Sequence, residues 1–368
     1  MRTAPAVSEL SVRLTEGTVD ECRVRLDSQQ VSVKSVLLNR GGYSYLTGPA
    51  VPGKEKQEAA PVPGGSTPSL PWTVRVGSVV LDDNRAEYGL LNHRPAAGFD
   101  PSFIVLSTLD LAVDSIYNRG ADIALQIRRM AFTERSGLTV SDMTGDIGMD
   151  ASGISLAGVT LKTPFSRIEA NISAGEGILA LAPDSPLKAD LMADVNTKDL
   201  KYLYPALIPP VLDGRIVSLA LTAAGTLGDI GKAGLDISSP GHVAFTADGA
   251  ARNVLDPGRM EASARFEGDF RDMAFLEALL PDSALRRRIA IPDRIRLRGT
   301  AGADKGAFSA ASTLSTDGGE IALQGRLDTR SEAYGIELRC DSFPLNSFLP
   351  ADSLGLLDLA LQAGGSGF

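Results

Sequence analysis

The chain is dominated by short segments in which apolar and polar residues alternate. In segment 121–129, Ile123, Leu125 and Ile127 alternate with Gln126 and Arg128. A period of two places successive side chains on opposite faces of a β-strand, so one face is apolar and the other polar. This pattern is typical of antiparallel sheets with one hydrated face. The same alternation recurs in segments 107–115, 153–163, 167–173, 187–196, 293–299, 319–327 and 334–342.

Helical segments are few and short. Segments 197–207, 272–289 and 343–354 each carry an apolar cluster followed by proline, and then a strand that runs into glycine. We interpret them as three copies of one helix-plus-strands unit. Residues 48–71 contain six prolines and four glycines without apolar periodicity. The predicted regions are N-terminal strands 1–47, a loop or linker 48–71, a β-repeat region 72–196, helix-plus-strands repeats 197–271 and 272–342, and the start of a further, truncated repeat 343–368.

Composition argues against several functional classes. The 368 residues include 36 basic and 45 acidic side chains, for a net charge of −9. Such a chain is a poor candidate for nucleic-acid binding, which requires neutralisation of phosphates. Two histidines and two cysteines are too few for most metal sites with three or four ligands. We therefore expect no nucleic-acid partner, no metal and no cofactor.

Candidate catalytic residues are equally scarce. Gly231 and Lys232 are followed by Ala233, where a phosphate-binding loop requires serine or threonine. His93 and His242 lie near proline or glycine, a context that predicts exposed loop histidines. We expect that the chain is not an enzyme.

Arginines are concentrated in segment 286–298. Three consecutive arginines at 286–288 precede a strand in which Arg294, Arg296 and Arg298 alternate with apolar residues. One interpretation is contact with anionic lipid headgroups or nucleic acid. The alternation favours the other interpretation, that these arginines form the hydrated face of the strand.

The apolar strand faces are the main candidate site. Alternate apolar residues must share a face within each strand. They face the lumen of a groove, or a covering layer formed by a second sheet or by the short helices. The candidate groove-lining residues are Leu109, Leu111, Ile123, Leu125, Ile127, Ile154, Leu156, Leu191, Leu219, Leu221, Ile295, Leu297, Ile321, Leu323, Ile336 and Leu338.

The repeated segments resemble those of a known protein superfamily. Segments 71–90, 141–172, 197–225, 272–302 and 343–367 are similar to the AsmA-like superfamily, and most similar to its TamB type, the translocation and assembly module subunits of Gram-negative bacteria. Members are far longer and begin with a membrane-anchoring helix. The resemblance therefore implies an internal fragment of a periplasmic protein, anchored to the inner membrane through a segment absent from this chain.

The resemblance also implies a fold and a function. Members form a β-taco, an elongated antiparallel sheet curled into an apolar groove, with a few short helices between repeats. The implied function is a periplasm-spanning bridge that carries phospholipid between the inner and outer membranes, with phospholipid acyl chains as the bound partner. The alternative is a scaffold or chaperone for assembly of outer-membrane β-barrel proteins, acting with a BamA-like (TamA-type) barrel partner.

Overall fold

The computed structural model describes residues 8–48, 72–176, 178, 182–205, 208, 210–273, 290–344, 346, 349 and 355–367. Within these residues the protein is mostly β, as the alternation predicts. The 21 strands found there belong to one open sheet. A short α-helix, α1 (Thr197–Leu203), and a 3-10 helix at Pro210–Leu212 are also present.

The strands are mostly about ten residues long, with two longer ones early in the chain. They are β1 (Ser8–Arg13), β2 (Glu16–Asp20), β3 (Arg23–Arg25), β4 (Gln30–Asn39), β5 (Gly42–Thr47), β6 (Thr73–Leu90), β7 (Phe103–Arg119), β8 (Asp122–Glu134), β9 (Thr139–Asp150), β10 (Gly153–Lys162), β11 (Arg167–Gly175), β12 (Pro186–Asn196), β13 (Ile216–Thr226), β14 (Ile230–Ser239), β15 (Val243–Arg252), β16 (Glu261–Arg271), β17 (Arg294–Asp304), β18 (Ala307–Thr316), β19 (Gly319–Asp328), β20 (Ala333–Pro344) and β21 (Leu356–Ser366).

The chain divides into two compact units. The first comprises Met1–Ala151, Ser155–Arg167 and Asp199–Leu207. In this unit β6 pairs with β7, β7 with β8 and β8 with β9, all antiparallel. Strand β1 pairs with β5, and β2 and β3 pair with β4, also antiparallel.

The prediction of an antiparallel sheet is wrong at one edge of β6. Strands β4 and β5 both pair parallel to β6, along successive parts of its length. Parallel neighbours need a connection of a dozen or more residues, whereas antiparallel ones can be joined by a tight turn. Residues 48–72 lie between β5 and β6 in the sequence, which is more than that length. Of the predicted loop or linker 48–71, all but residue 48 lies outside the described residues.

The second unit comprises Ser152–Ile154, Ile168–Lys198 and Ile208–Phe368. From β12 to β21, each strand pairs antiparallel with the next strand along the chain. The segments in which apolar and polar residues alternate are therefore strands that are neighbours both along the chain and in the sheet. The repeat boundaries at 197, 272 and 343 stay predictions.

Helix α1 lies within the predicted helical segment 197–207. The side-chain Oδ1 of Asn196 accepts a hydrogen bond from the backbone N–H of Lys198 at 2.9 Å, which caps the helix N-terminus. The helix ends shortly before Pro205, whose ring is incompatible with a continuing helix.

The two other predicted helices have different outcomes. Segment 272–289 lies outside the described residues except at 272 and 273. The prediction for 343–354 is wrong at its start, because Phe343 and Pro344 end β20 and pair with Leu357 and Leu356 of β21. Cross-strand pairing decides the conformation of these two residues.

Few apolar side chains are fully buried. Those of the first unit are Val105, Leu109, Val113, Ile127 and Val140, and those of the second are Ala170, Ala174, Ala193, Met273, Cys340 and Phe343. The described part of the chain contains no second sheet that would make a sandwich. Most apolar residues of these strands are consequently half-buried or exposed.

Candidate functional site

In the second unit, the strand register places apolar side chains directly opposite one another. Leu191 lies opposite Leu221 in the β12–β13 pair, and Leu297 lies opposite Leu314 in the β17–β18 pair. Directly opposite residues share a face, with Cβ atoms about 4.5–5.5 Å apart. The pairing can therefore be followed from strand to strand.

Three rows of opposite residues run from β12 to β21 and define what we term the second-unit apolar face. The first row is Leu191, Leu221, Leu235, Ala247, Phe266, Gly299, Ser312, Leu323, Leu338 and Leu361. The second row is Ala193, Leu219, Ile237, Phe245, Gly268, Leu297, Leu314, Ile321, Cys340 and Leu359. The third row, of smaller residues, is Ala189, Ala223, Ala233, Gly249, Ala264, Ala301, Ala310, Gly325, Ile336 and Ala363.

These rows contain most candidates that the sequence predicts for this unit. The candidates in the rows are Leu191, Leu219, Leu221, Leu297, Ile321, Leu323, Ile336 and Leu338. Ile295 shares their face, since it precedes Leu297 by two residues and lies opposite Phe270. The strand register places these residues next to one another on one face of the sheet. It cannot be read from the sequence of any single strand.

The first unit has a comparable array in β7 and β8. Leu111 lies opposite Leu81 on one side and Met130 on the other. The candidates there are Leu109, Leu111, Ile123, Leu125 and Ile127. Leu109 and Ile127 are buried, while Leu111, Ile123 and Leu125 are half-buried.

Two candidates lie in β10. A Cβ on Gly148 would lie 2.7 Å from the Oγ of Ser155, so Ser155 is on the side of Gly148. Leu156, the next residue of the strand, therefore points to the opposite side, the side of Ile147 and Leu125. Ile154 is half-buried in the same strand and is grouped with the second unit.

Large side chains of the second-unit apolar face remain accessible to solvent. Leu221 is 37% exposed, Leu323 43%, Ile336 49% and Leu361 50%. Single exposed leucines are normal, but contiguous apolar patches on a soluble surface mark binding sites for apolar partners. Leu323, Ile336 and Leu361 lie on the neighbouring strands β19–β21 and form such a patch.

The opposite face of β16 and β17 carries charge. Asp269 accepts hydrogen bonds from Arg294 Nη2 at 2.6 Å and from Arg271 Nη2 at 2.7 Å. These guanidinium groups, Arg294 foremost, lower the pKa of Asp269 far below its ordinary value. Arg296 and Arg298 are exposed on this face, as the hydrated-face interpretation predicts. The arginines at 286–288 lie outside the described residues.

His93 is not the exposed loop histidine that its context predicts. Its side chain is half-buried, and Nε2 lies 2.7 Å from Oδ2 of the buried Asp100. Asp100 also accepts hydrogen bonds from the backbone N–H of Ala96 and of Ser102, each at 2.9 Å. The backbone donor Ala96 and the His93 side chain lower the pKa of Asp100 to about 2. These hydrogen bonds close the loop between β6 and β7. None of the hydrogen bonds described in this loop joins His93 to a serine, threonine or cysteine side chain.

Other chemistry is not evident in the described residues. No cluster of histidine, cysteine or acidic side chains there has the number of groups needed to hold a metal ion. None of the helices described has the length and apolar character of a membrane span. No family model, curated protein or solved structure matches the chain.

Proposed function

We propose that the second-unit apolar face binds phospholipid acyl chains. The sheet would curl lengthwise into a β-taco groove and form part of a periplasmic bridge that carries phospholipid between the inner and outer membranes. The observation that carries the proposal is the set of apolar rows from β12 to β21, whose leucines are half-buried or, at Leu221, Leu323, Leu359 and Leu361, exposed.

The energetics of acyl-chain binding support this occupant. Burial of each methylene contributes about 0.8 kcal/mol, so a dry apolar surface competes with the bilayer interior. Apart from Ser312 and Cys340, the three rows consist of leucine, alanine, isoleucine, phenylalanine and glycine, whose side chains carry no hydrogen-bond donor that would need a polar partner. A lipid can therefore slide along the rows without breaking specific contacts.

The extent of the rows also suits an acyl chain. Neighbouring strands lie about 4.8 Å apart, so a row from β12 to β21 runs roughly 43 Å measured along the sheet. A bilayer's hydrocarbon core is about 30 Å thick, and each leaflet accounts for about half of it. A row is thus longer than one extended acyl chain of a membrane lipid.

The resemblance to the AsmA-like superfamily, TamB type, supports the same function. On this basis we propose that the chain is part of a periplasmic protein anchored to the inner membrane of a Gram-negative bacterium. A BamA-like barrel in the outer membrane is the corresponding protein partner. The scaffold for β-barrel assembly remains the competing function.

A photo-crosslinker distinguishes the two functions. It is placed in the full-length protein, in cells, at inward Leu297 or Leu125, with matched outward positions Arg296 or Gln126. Lipid transport predicts lipid adducts at the inward positions only, measured by mass spectrometry. Protein adducts at Leu297 without lipid would support the scaffold instead. Equal labelling inside and outside, or none at either, would contradict a conduit.

A further inference from the structure

Three phenylalanine rings form a cluster on the side of the sheet that carries the second-unit apolar face. Phe245, Phe266 and Phe270 lie on β15 and β16, and the rings of Phe245 and Phe266 stack with centroids 6.4 Å apart and planes at 23°. All three are half-buried, in a chain with only 5% aromatic residues. We call them the phenylalanine plate.

The plate lies over two glycines. A Cβ on Gly268 would lie 2.6 Å from Cε2 of Phe270 and 3.3 Å from Cδ2 of Phe245. A Cβ on Gly299 would lie 2.6 Å from Cζ of Phe266. The rings therefore occupy the space that side chains at these two positions would fill.

The register explains this overlap. Gly268 lies directly opposite both Phe245 and Leu297, and Gly299 directly opposite Phe266. An aromatic ring opposite glycine can lean across the neighbouring strand instead of standing away from the sheet. Phe270 reaches Gly268 along its own strand, since it lies two residues further on in β16.

We infer that Gly268 and Gly299 are positioning residues that hold the phenylalanine plate flat, so that an acyl chain passes over β15–β17 without interruption. This inference rests on the proposed function. A side chain at Gly268 overlaps the tip of the Phe270 ring and forces that ring away from the sheet, into the volume above it. Flat rings offer the acyl chain a wide apolar contact surface.

Gly268 is the better position for a test, because its neighbours are ring atoms that can move. At Gly299 the added Cβ would also lie 2.5 Å from the backbone oxygen of Ala311, so substitution there strains the sheet itself. Gly302 provides the matched control. It lies on β17 next to Ala301, on the face opposite the apolar rows, and an added Cβ there would come no closer than 3.4 Å to a neighbouring atom.

The experiment uses the purified chain with phosphatidylcholine vesicles in which one acyl chain carries a diazirine. Adducts are mapped by mass spectrometry to peptides containing Phe266 and Phe270, and to peptides containing Leu323 and Leu338. The variants are Gly268→Ala, Gly268→Val, Gly302→Ala and the double variant Gly268→Ala with Phe270→Ala. Circular dichroism and thermal unfolding establish that each variant is folded.

Gly268→Ala is expected to lower labelling of the plate severalfold, with Gly268→Val lowering it further. Labelling near Leu323 and Leu338 should be retained, and Gly302→Ala should match the wild type. The double variant should regain plate labelling because the displaced ring is gone. A purely structural role would instead reduce stability without a local loss of labelling. If Gly268→Val does not fold, the comparison of Gly268→Ala with the double variant decides the question.

The two proposals fail in different ways. Unchanged plate labelling in folded Gly268→Ala, with normal labelling near Leu323, would overturn the positioning role alone. Absence of adducts from the whole apolar face in the wild type would overturn the proposed function, and the positioning role with it.

Discussion

The side-chain Oδ1 of Asn84 accepts a hydrogen bond from the backbone N–H of Gly41 at 2.8 Å, and a Cβ on Gly41 would lie only 2.6 Å from the same oxygen. Asn84 is 1% exposed. Its Nδ2 donates to the backbone oxygens of Leu38 and Asp82, each at 2.9 Å. One buried amide thus ties the β4–β5 corner to the bulge in β6.

Gly41→Ala should destabilise this corner. The added methyl group displaces Asn84 and leaves buried polar groups without partners, which costs about 1–3 kcal/mol. Gly42→Ala is the matched control, because nothing lies within 4 Å of its Cβ position. Urea unfolding should place Gly42→Ala within about 0.5 kcal/mol of the wild type. Equal stability of the two variants would contradict the close packing at Gly41.

The loop between β6 and β7 should lose stability in acid. The pKa of Asp100 falls from 3.8 to about 2, through the Ala96 backbone and His93 hydrogen bonds. The unfolded chain therefore binds the proton more readily than the folded chain. The stabilisation is present above pH 3.8 and is lost as the pH falls through about 2.

Hydrogen exchange of the Ala96 amide, corrected for intrinsic rates, measures this effect. Protection should fall between pH 4 and pH 2 in the wild type. Asp100→Asn removes the ionisable group and should remove most of this dependence. Constant protection of the wild type across the interval would argue against Asp100 as the cause.

Asp269→Asn should destabilise the β16–β17 pair. Arg271 and Arg294 are directly opposite one another in the register. The Asp269 carboxylate accepts a hydrogen bond from each and offsets the repulsion between their positive charges. Its removal leaves two like charges on neighbouring strands. Urea unfolding should reveal a loss of stability that is smaller at high salt, because salt screens the repulsion.

The control for this prediction is Glu320→Gln. Glu320 lies 4.0 Å from Arg298, and both side chains are largely exposed. Exposed ion pairs of this kind contribute little to stability. If Asp269→Asn had no larger effect than Glu320→Gln, the central role of Asp269 would be wrong.

Leu323→Glu should weaken lipid binding without unfolding the protein. Leu323 is 43% exposed, so a carboxylate there stays hydrated in the empty protein. An acyl chain lying over it must remove that water, at a cost of several kcal/mol. Lipid labelling by diazirine-bearing phosphatidylcholine should fall severalfold.

Ala322→Glu introduces the same charge on the opposite face of β19 and should leave labelling unchanged. Equal losses in the two variants would mean that net charge, and not the apolar face, governs the labelling. Circular dichroism confirms that both variants remain folded.

Local patterning alone indicates which side chains share a face within a strand. Ile295 and Leu297 lie on one face, and Arg296 and Arg298 on the other, because alternation is built into the extended backbone. The mostly β fold and the position of α1 follow from similarly local signals, namely period-two patterning, and a short apolar cluster before Pro205.

Which strands are neighbours, and in what register, depends on the three-dimensional fold. The parallel pairing of β4 and β5 with β6 and the Phe266 ring over Gly299 have no signature in their own segments. The physical reason is that pairing depends on backbone hydrogen bonds and side-chain packing between residues distant in sequence. Alternation fixes the face of each residue, but a shift of two residues preserves every face and changes every partner.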